Sequence, residues 1–288
     1  MESISPELMS DARRSHEEAE KSFNPKRKNR LRQYVKDRAA SCFELASECN
    51  NSIWRSQDMK QQVILYKPVT EWNGFLSSKA VITANASFPL IPKILADLNS
   101  SINFKTFLRK ILGEYLIDGQ ILEELEQEVD MSPESFDQDA AIVFEEQAAI
   151  KWWAVKSGPL ANKPSDFYVL EYIGAEMDQD EIKSCYLYQE SLAQVGDMPP
   201  TEARTLERAK INALICKFER LPIADFTQEL VQISVVCQRR SPLVALFRSN
   251  TAAEMATQFA NGLKDLLEDP IEAQEIAIMS SADWIKDK

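Results

Sequence analysis

The sequence predicts a mainly α protein, a multi-helix globular bundle with a few short strands near 61-66, 79-84 and 166-173. Three observations carry that expectation. Only seven of 288 residues are glycine, against roughly 20 at the average frequency of about 7%, so turns that need φ > 0 are scarce. Apolar residues recur at intervals of three, four and seven along several segments. Ser-Pro-Glu appears twice, at Ser5-Pro6-Glu7 and Ser132-Pro133-Glu134, placing a capping oxygen before a proline whose missing N–H costs a helix start nothing.

Taken in order, the pattern predicts a polar helix over about 6–22, interrupted at Asn24-Pro25 because the residue before proline is pushed out of the α region. Leu31, Val35, Cys42, Leu45 and Cys49 then line one face of a helix ending near Asn50. Between Ser52 and Phe88 the runs Val63-Ile64-Leu65-Tyr66 and Ala80-Val81-Ile82-Thr83 fit short strands or buried helical turns. Helical spacing returns at Pro89–Leu98 and over Phe104, Phe107, Leu108, Ile111, Leu112 and Tyr115, a wide apolar stripe. Asp118-Gly119 breaks that stripe, and 120–130 reads as a short acidic continuation.

A central buried helix is expected from 132 to 156, carrying Trp152 and Trp153 and stopped by Gly158-Pro159, a pairing of residues that ends helices. Phe167-Tyr168-Val169-Leu170 and Cys185-Tyr186-Leu187-Tyr188 suit a hairpin, but the second favours a helix beginning near Asp178, whose acidic residues would face a helix N-terminus. Further helices are expected through Leu206–Leu221 after a Thr201 cap, through Phe226–Cys237, after Ser241-Pro242, and from Thr251 to Asp269, where Thr251 and Glu254 fit a capping box. The alternation Val231-Ile233-Val235 keeps a strand open for the second of these. A last helix follows Pro270. The chain divides into an N-terminal arm (1–24), a helical lobe (25–158) and a second helical lobe (165–288), with the boundary near 159–164.

Composition bounds the function. A formal charge of −12 opposes non-specific binding to nucleic acid or anionic lipid, both of which need clustered cations. Five cysteines without a CxxC pair suggest neither a disulfide framework nor a zinc knuckle. No apolar leader or run of about 18 apolar residues occurs, so no membrane association is expected, and the location is expected to be intracellular, cytoplasmic and nuclear. The one histidine, His16, sits among charged residues, leaving no material for a Ser/His/Asp triad or a multi-histidine metal site. GxxxxGK[ST], GxGxxG and GxSxG are all absent, which removes the usual phosphate loops and nucleophile elbow.

The remaining candidates are a basic run, a Trp pair and acidic pairs. Lys26, Arg27, Lys28, Arg30 and Arg32 place five cations in seven positions of an otherwise acidic chain, suited to an import receptor or an acidic partner. Trp152 and Trp153, about 100° apart on a helix, would serve as interface anchors. Glu123-x-x-Glu126 followed by Glu134-x-x-Asp137 would put two carboxylate pairs on helical faces. That arrangement resembles the ExxE…ExxD pattern of all-α nucleotide pyrophosphohydrolases, and the resemblance implies a magnesium-dependent hydrolase. The reading favoured from sequence is a non-enzymatic interaction or regulatory protein, a helical scaffold binding another protein without a cofactor; a nucleic-acid-associated protein using the basic segment, and the hydrolase, are its alternatives.

Overall fold

The structure, a computed structural model, describes residues 25–47, 52–60, 62–70, 75–125, 144–156, 163–179, 181–192, 206–222, 229–240 and 251–269. Its frame is one antiparallel sheet, and strand outweighs helix by 48% to 35% among the described residues. The mainly α expectation is therefore overturned.

In chain order the elements are α1 (Pro25–Ala46), β1 (Trp54–Lys60), β2 (Val63–Pro68), β3 (Phe75–Asn85), α2 (Leu90–Ala96) and α3 (Ser101–Leu112), followed by β4 (Leu116–Glu124), β5 (Gln147–Val155), β6 (Ser165–Asp178) and β7 (Glu181–Ser191), then β8 (Glu207–Arg208), β9 (Ala213–Arg220), β10 (Leu230–Arg240) and α4 (Thr251–Glu268). The sheet runs β1-β2-β3-β10-β9-β7-β6-β5-β4, with β8 joined in parallel to the start of β6. β3 pairs with β10 and β5 with β6, so one sheet incorporates strands from both sides of 159–164.

Helices cover both faces of this sheet, which explains the misreading. On the inner face, Trp153, Val155, Phe167, Val169, Leu187, Leu214, Val231 and Ile233 meet α3 and α4 in one core. On the outer face, Ile150, Leu170, Tyr172, Tyr188, Ile215 and Val236 pack under α1. A strand buried on both sides loses its apolar/polar alternation and reads as a continuous apolar run. Hence the helix expected over 132–156 is β5 where it is described, residues 132–143 lying outside the described residues. The helices expected from Asp178, over Leu206–Leu221 and through Cys237 are β7, β8 with β9, and β10, and the acidic continuation at 120–130 is β4 as far as Glu124. The segments 61-66, 79-84 and 166-173 fall on β2, β3 and β6.

The scarcity of glycine misled for a second reason. Positive φ is adopted by Gln62 at the β1–β2 turn (69°) and by Gln179 at the β6–β7 turn (48°), so these hairpins close without glycine. Asp178 thus ends a strand and does not open a helix.

Helical periodicity held where one face alone is apolar. In α1, Val35, Ala39, Cys42 and Ala46 are buried at spacings of four, three and four. α3 buries Phe104, Phe107, Leu108, Ile111 and Leu112 and ends at Gly113 (φ 57°), earlier than the expected break at Asp118-Gly119. α4 buries Ala252, Met255, Ala256, Phe259, Leu263 and Leu266 against the inner face. The expected helices at 6–22, after Ser241-Pro242 and after Pro270 lie outside the described residues.

Candidate functional site

Alternation along a strand places residues two apart on the same face. On the inner face of β5 this aligns Lys151 with Trp153 and Val155; on β6, Glu171 with Phe167, Val169 and Ile173; on β7, Gln189 with Leu187 and Cys185. Register brings the three polar residues together, with Glu171 directly opposite Gln189 and diagonal to Lys151, whose neighbour on β6 is Val169.

The resulting cluster is closed to solvent. Lys151 and Glu171 expose 0% and 2% of their side chains. Lys151 Nζ donates to Glu171 Oε1 and, at 2.7 Å, to the carbonyl of Leu98 in the 3-10 turn before α3. Gln189 Nε2 donates to Glu171 Oε2 at 2.6 Å. The Phe104 ring of α3 lies 4.4 Å from Lys151 Nζ. Burial pulls the Lys151 ammonium below its ordinary pKa, opposed by the carboxylates of Glu171 and Glu124. Among the described residues, polar atoms of this face without a partner include Gln189 Oε1, Trp153 Nε1 and, at the start of β5, Gln147 Oε1. The Trp153 ring stacks on Phe167 at 4.0 Å between centroids and tilts against Phe259 of α4 at 6.2 Å.

The inner face is also rich in sulfur. Burial pushes the thiols of Cys185 and Cys237 up to about 12 and that of Cys216 further, with Glu171 adding to the rise. Cys237 Sγ lies 3.5 Å from Met255 Sδ of α4.

α4 closes over this face. Gln258 Nε2 donates to the Ile111 carbonyl at 3.0 Å, and the Asn85 N–H donates to Glu268 Oε1 at 3.0 Å. Gly262 lets the α4 backbone rest on α3, since a β-carbon there would stand 2.4 Å from the Ile111 carbonyl oxygen.

Two surface clefts, each about 470 Å³, flank the sheet. One lies between β4, the start of α3 and α1, among Lys28, Asn99, Ser101, Leu122 and Glu124. The other lies beside α1 on the outer face, among Arg38, Cys42, Ile53 and Gln238. Neither lies between α4 and the sheet.

The residues singled out from sequence take other places. Arg32 donates to the carbonyls of Leu125 and Glu146, 2.9 Å each, tying the end of β4 to the approach to β5. Lys28 pairs with Glu123 at 2.8 Å. Lys26 and Arg27 also have interactions of their own, and Arg30 is exposed. Trp152 and Trp153, adjacent on a strand, face opposite sides, and both are buried: Trp153 joins the inner core, and Trp152 Nε1 donates to Asp166 at 2.9 Å on the outer face. Glu123 stands on a strand and not on a helical face, while Glu126, Glu134 and Asp137 lie outside the described residues. Among the described residues no group of three His, Cys, Asp or Glu side chains is placed to hold a metal ion, and no helix is long and apolar enough to cross a membrane.

Sequence reasoning missed Lys151, Glu171 and Gln189. Their signal was a single polar residue inside an apolar run, in AAIKWWAV, FYVLEYI and CYLYQ. Read as helices, these runs spread the three residues over unrelated faces; read as strands, they converge.

No family model matches the chain, and no curated protein matches it. Solved structures do. Human StAR-related lipid transfer protein 5 matches with a TM-score of 0.52 at 11% identity, over 83% of this chain and 97% of that one. Human STARD10 matches with a TM-score of 0.51 at 13% identity, over 82% of this chain and 81% of that one. The chain shares its fold with these proteins. Together with the sheet, this likeness overturns the reading of the molecule as a helical protein-interaction scaffold.

Proposed function

We propose that this protein binds a lipid-like amphiphile between α4 and the inner face of the sheet. One observation carries the reading: the only charged pair packed into the described inner face, Lys151 with Glu171, is joined there by Gln189, whose Oε1 is buried and unpaired, and further along the same face Trp153 Nε1 is buried and unpaired as well. A buried polar group left unpaired costs about 1–3 kcal/mol. A hydroxyl on an otherwise apolar ligand would donate to Gln189 Oε1 while the ligand's body lay against Phe167, Val169 and Phe259. The fold shared with a lipid transfer protein supports the same reading by analogy.

In this arrangement side chains fill the space that such a ligand would take, so uptake requires the Trp153 ring and the sheet-facing side chains of α4 to shift. The aliphatic and aromatic walls give affinity, and the Lys151–Glu171–Gln189 group fixes which end of the ligand points inward. We read the site as one of binding without catalysis. Its cysteines are held as neutral thiols by burial, and its lysine and glutamate are committed to each other.

The test is direct titration with a dansyl-labelled long-chain fatty acid, a fluorescent sterol and a fluorescent phospholipid, with Trp fluorescence as a second signal. Saturable binding of at least one, displaced by its unlabelled parent and weakened by Gln189→Leu, supports the reading. No binding of any of the three refutes it.

A further inference from the structure

Access to a buried site needs a route, and the seam between α3 and α4 offers none in this structure. At Gly262 the two helices are in backbone contact, and Gln258 bonds across the same seam. The cleft on the other side of α3 is different. Its wall is β4, an edge strand with a single neighbour and with register shifts at Leu116/Asp118 and Ile121/Glu123. Irregular edges of this kind mark the ends of pairing and re-aim side chains.

Four observations connect this cleft to the buried polar group. Ile121, in its wall, is the register partner of Lys151. Asn99, also in the wall, follows Leu98, whose carbonyl holds Lys151 Nζ. Glu124 lies near enough for its charge to act on Lys151. At the mouth the Ile121 N–H donates to Ser101 Oγ at 3.1 Å, with Phe104 immediately behind it over the lysine; one turn further along α3, Lys105 pairs with Asp118 at 2.6 Å and Phe104 and Leu108 pack on Gly119, so β4 is held more firmly there than at Ser101. Across the mouth, Lys28 of α1 pairs with Glu123, whose second oxygen is buried and has no partner. Leu122 stands 38% exposed at the rim.

We infer that the cleft between β4 and the N-terminal end of α3 is the port through which an amphiphile reaches the inner face, with the Lys28–Glu123 ion pair as its clasp. The inference rests on the binding reading above. Separation of β4 from Ser101 opens a path that ends at Lys151, so the polar end of the ligand meets the Lys151–Glu171–Gln189 group nearest the mouth. The α3–α4 seam stays shut throughout.

Stopped-flow mixing of the full chain with the dansyl-labelled fatty acid tests this. Leu122→Trp adds bulk at an exposed rim position, and Lys28→Met removes the clasp; circular dichroism and thermal melts establish that each variant is folded. Leu122→Trp is expected to slow association and dissociation together by about five-fold, leaving Kd unchanged, because a barrier on the path acts on both rates. Lys28→Met is expected to speed both, and added salt to speed the parent protein while leaving this variant unmoved, since salt weakens a partly exposed ion pair. Wild-type rates in both variants, with faster association in Gln258→Leu, would place the route at the α3–α4 seam and overturn the port while leaving the binding site intact. Absence of binding in the parent protein would overturn both.

Discussion

Lys151 of β5 and Glu171 of β6 meet diagonally across two antiparallel strands, with neither side chain exposing more than 2% of its surface. A buried pair of this kind adds little net stability, because desolvating both charges offsets their attraction. Its value lies in what it fixes: the ammonium is aimed at the Leu98 carbonyl, and the carboxylate is held open to Gln189.

The first prediction follows from that balance. Lys151→Met leaves Glu171 buried without its cation and is expected to cost about 3–5 kcal/mol. The double change Lys151→Met with Glu171→Gln removes both charges and is expected to recover at least half of the loss. Urea unfolding of the three proteins measures this, and a single variant within about 1 kcal/mol of the parent would contradict it.

A second concerns the α3–α4 seam. Gly262→Ala would gain about 1 kcal/mol at an ordinary helix position. Here the added carbon stands 2.4 Å from the Ile111 carbonyl oxygen and 2.5 Å from its Cα, and overpacking costs about 1–3 kcal/mol. Net destabilisation is expected, read as a lower Tm; a higher Tm would mean that the two helices are not in contact.

The third uses the inner-face thiols. With Cys185 and Cys237 pushed up to about 12, the folded protein keeps them neutral while the unfolded chain ionises its cysteines near about 8.5. The unfolded state therefore gains as pH rises, and stability is expected to fall progressively above that value. At neutral pH, Cys185, Cys216 and Cys237, all buried and free on the inner face, are expected to resist a thiol reagent until the protein unfolds. Rapid reaction of three or more thiols in the native protein would contradict the packing described.

The legibility of this fold in its sequence depended on how many faces each element buries. α1, α3 and α4 present one apolar stripe each, and Val35–Ala39–Cys42–Ala46 or Phe104–Phe107–Leu108–Ile111 could be read at helical spacing. β5 and β7 are covered on both sides, so Trp152 and Trp153, like Leu187 and Tyr188, are equally buried and no alternation survives to distinguish strand from helix. Gln62 and Gln179 took the turn positions that glycine usually marks. The site was hidden by the same error, because the partnership of Lys151 with Glu171 exists only once a strand register brings residues twenty apart into contact. The basic run was visible, but its composition could not tell that Arg32 would spend its guanidinium on the carbonyls of Leu125 and Glu146.

The most direct measurement of the central claim is fluorescence titration of the purified protein with a dansyl-labelled long-chain fatty acid, a fluorescent sterol and a fluorescent phospholipid, alongside Gln189→Leu. Saturable uptake of at least one with a shift in Trp emission, weakened about ten-fold by that substitution as befits loss of one buried polar contact worth about 1.4 kcal/mol, is the expected result. A flat titration with all three in the correctly folded protein would contradict it.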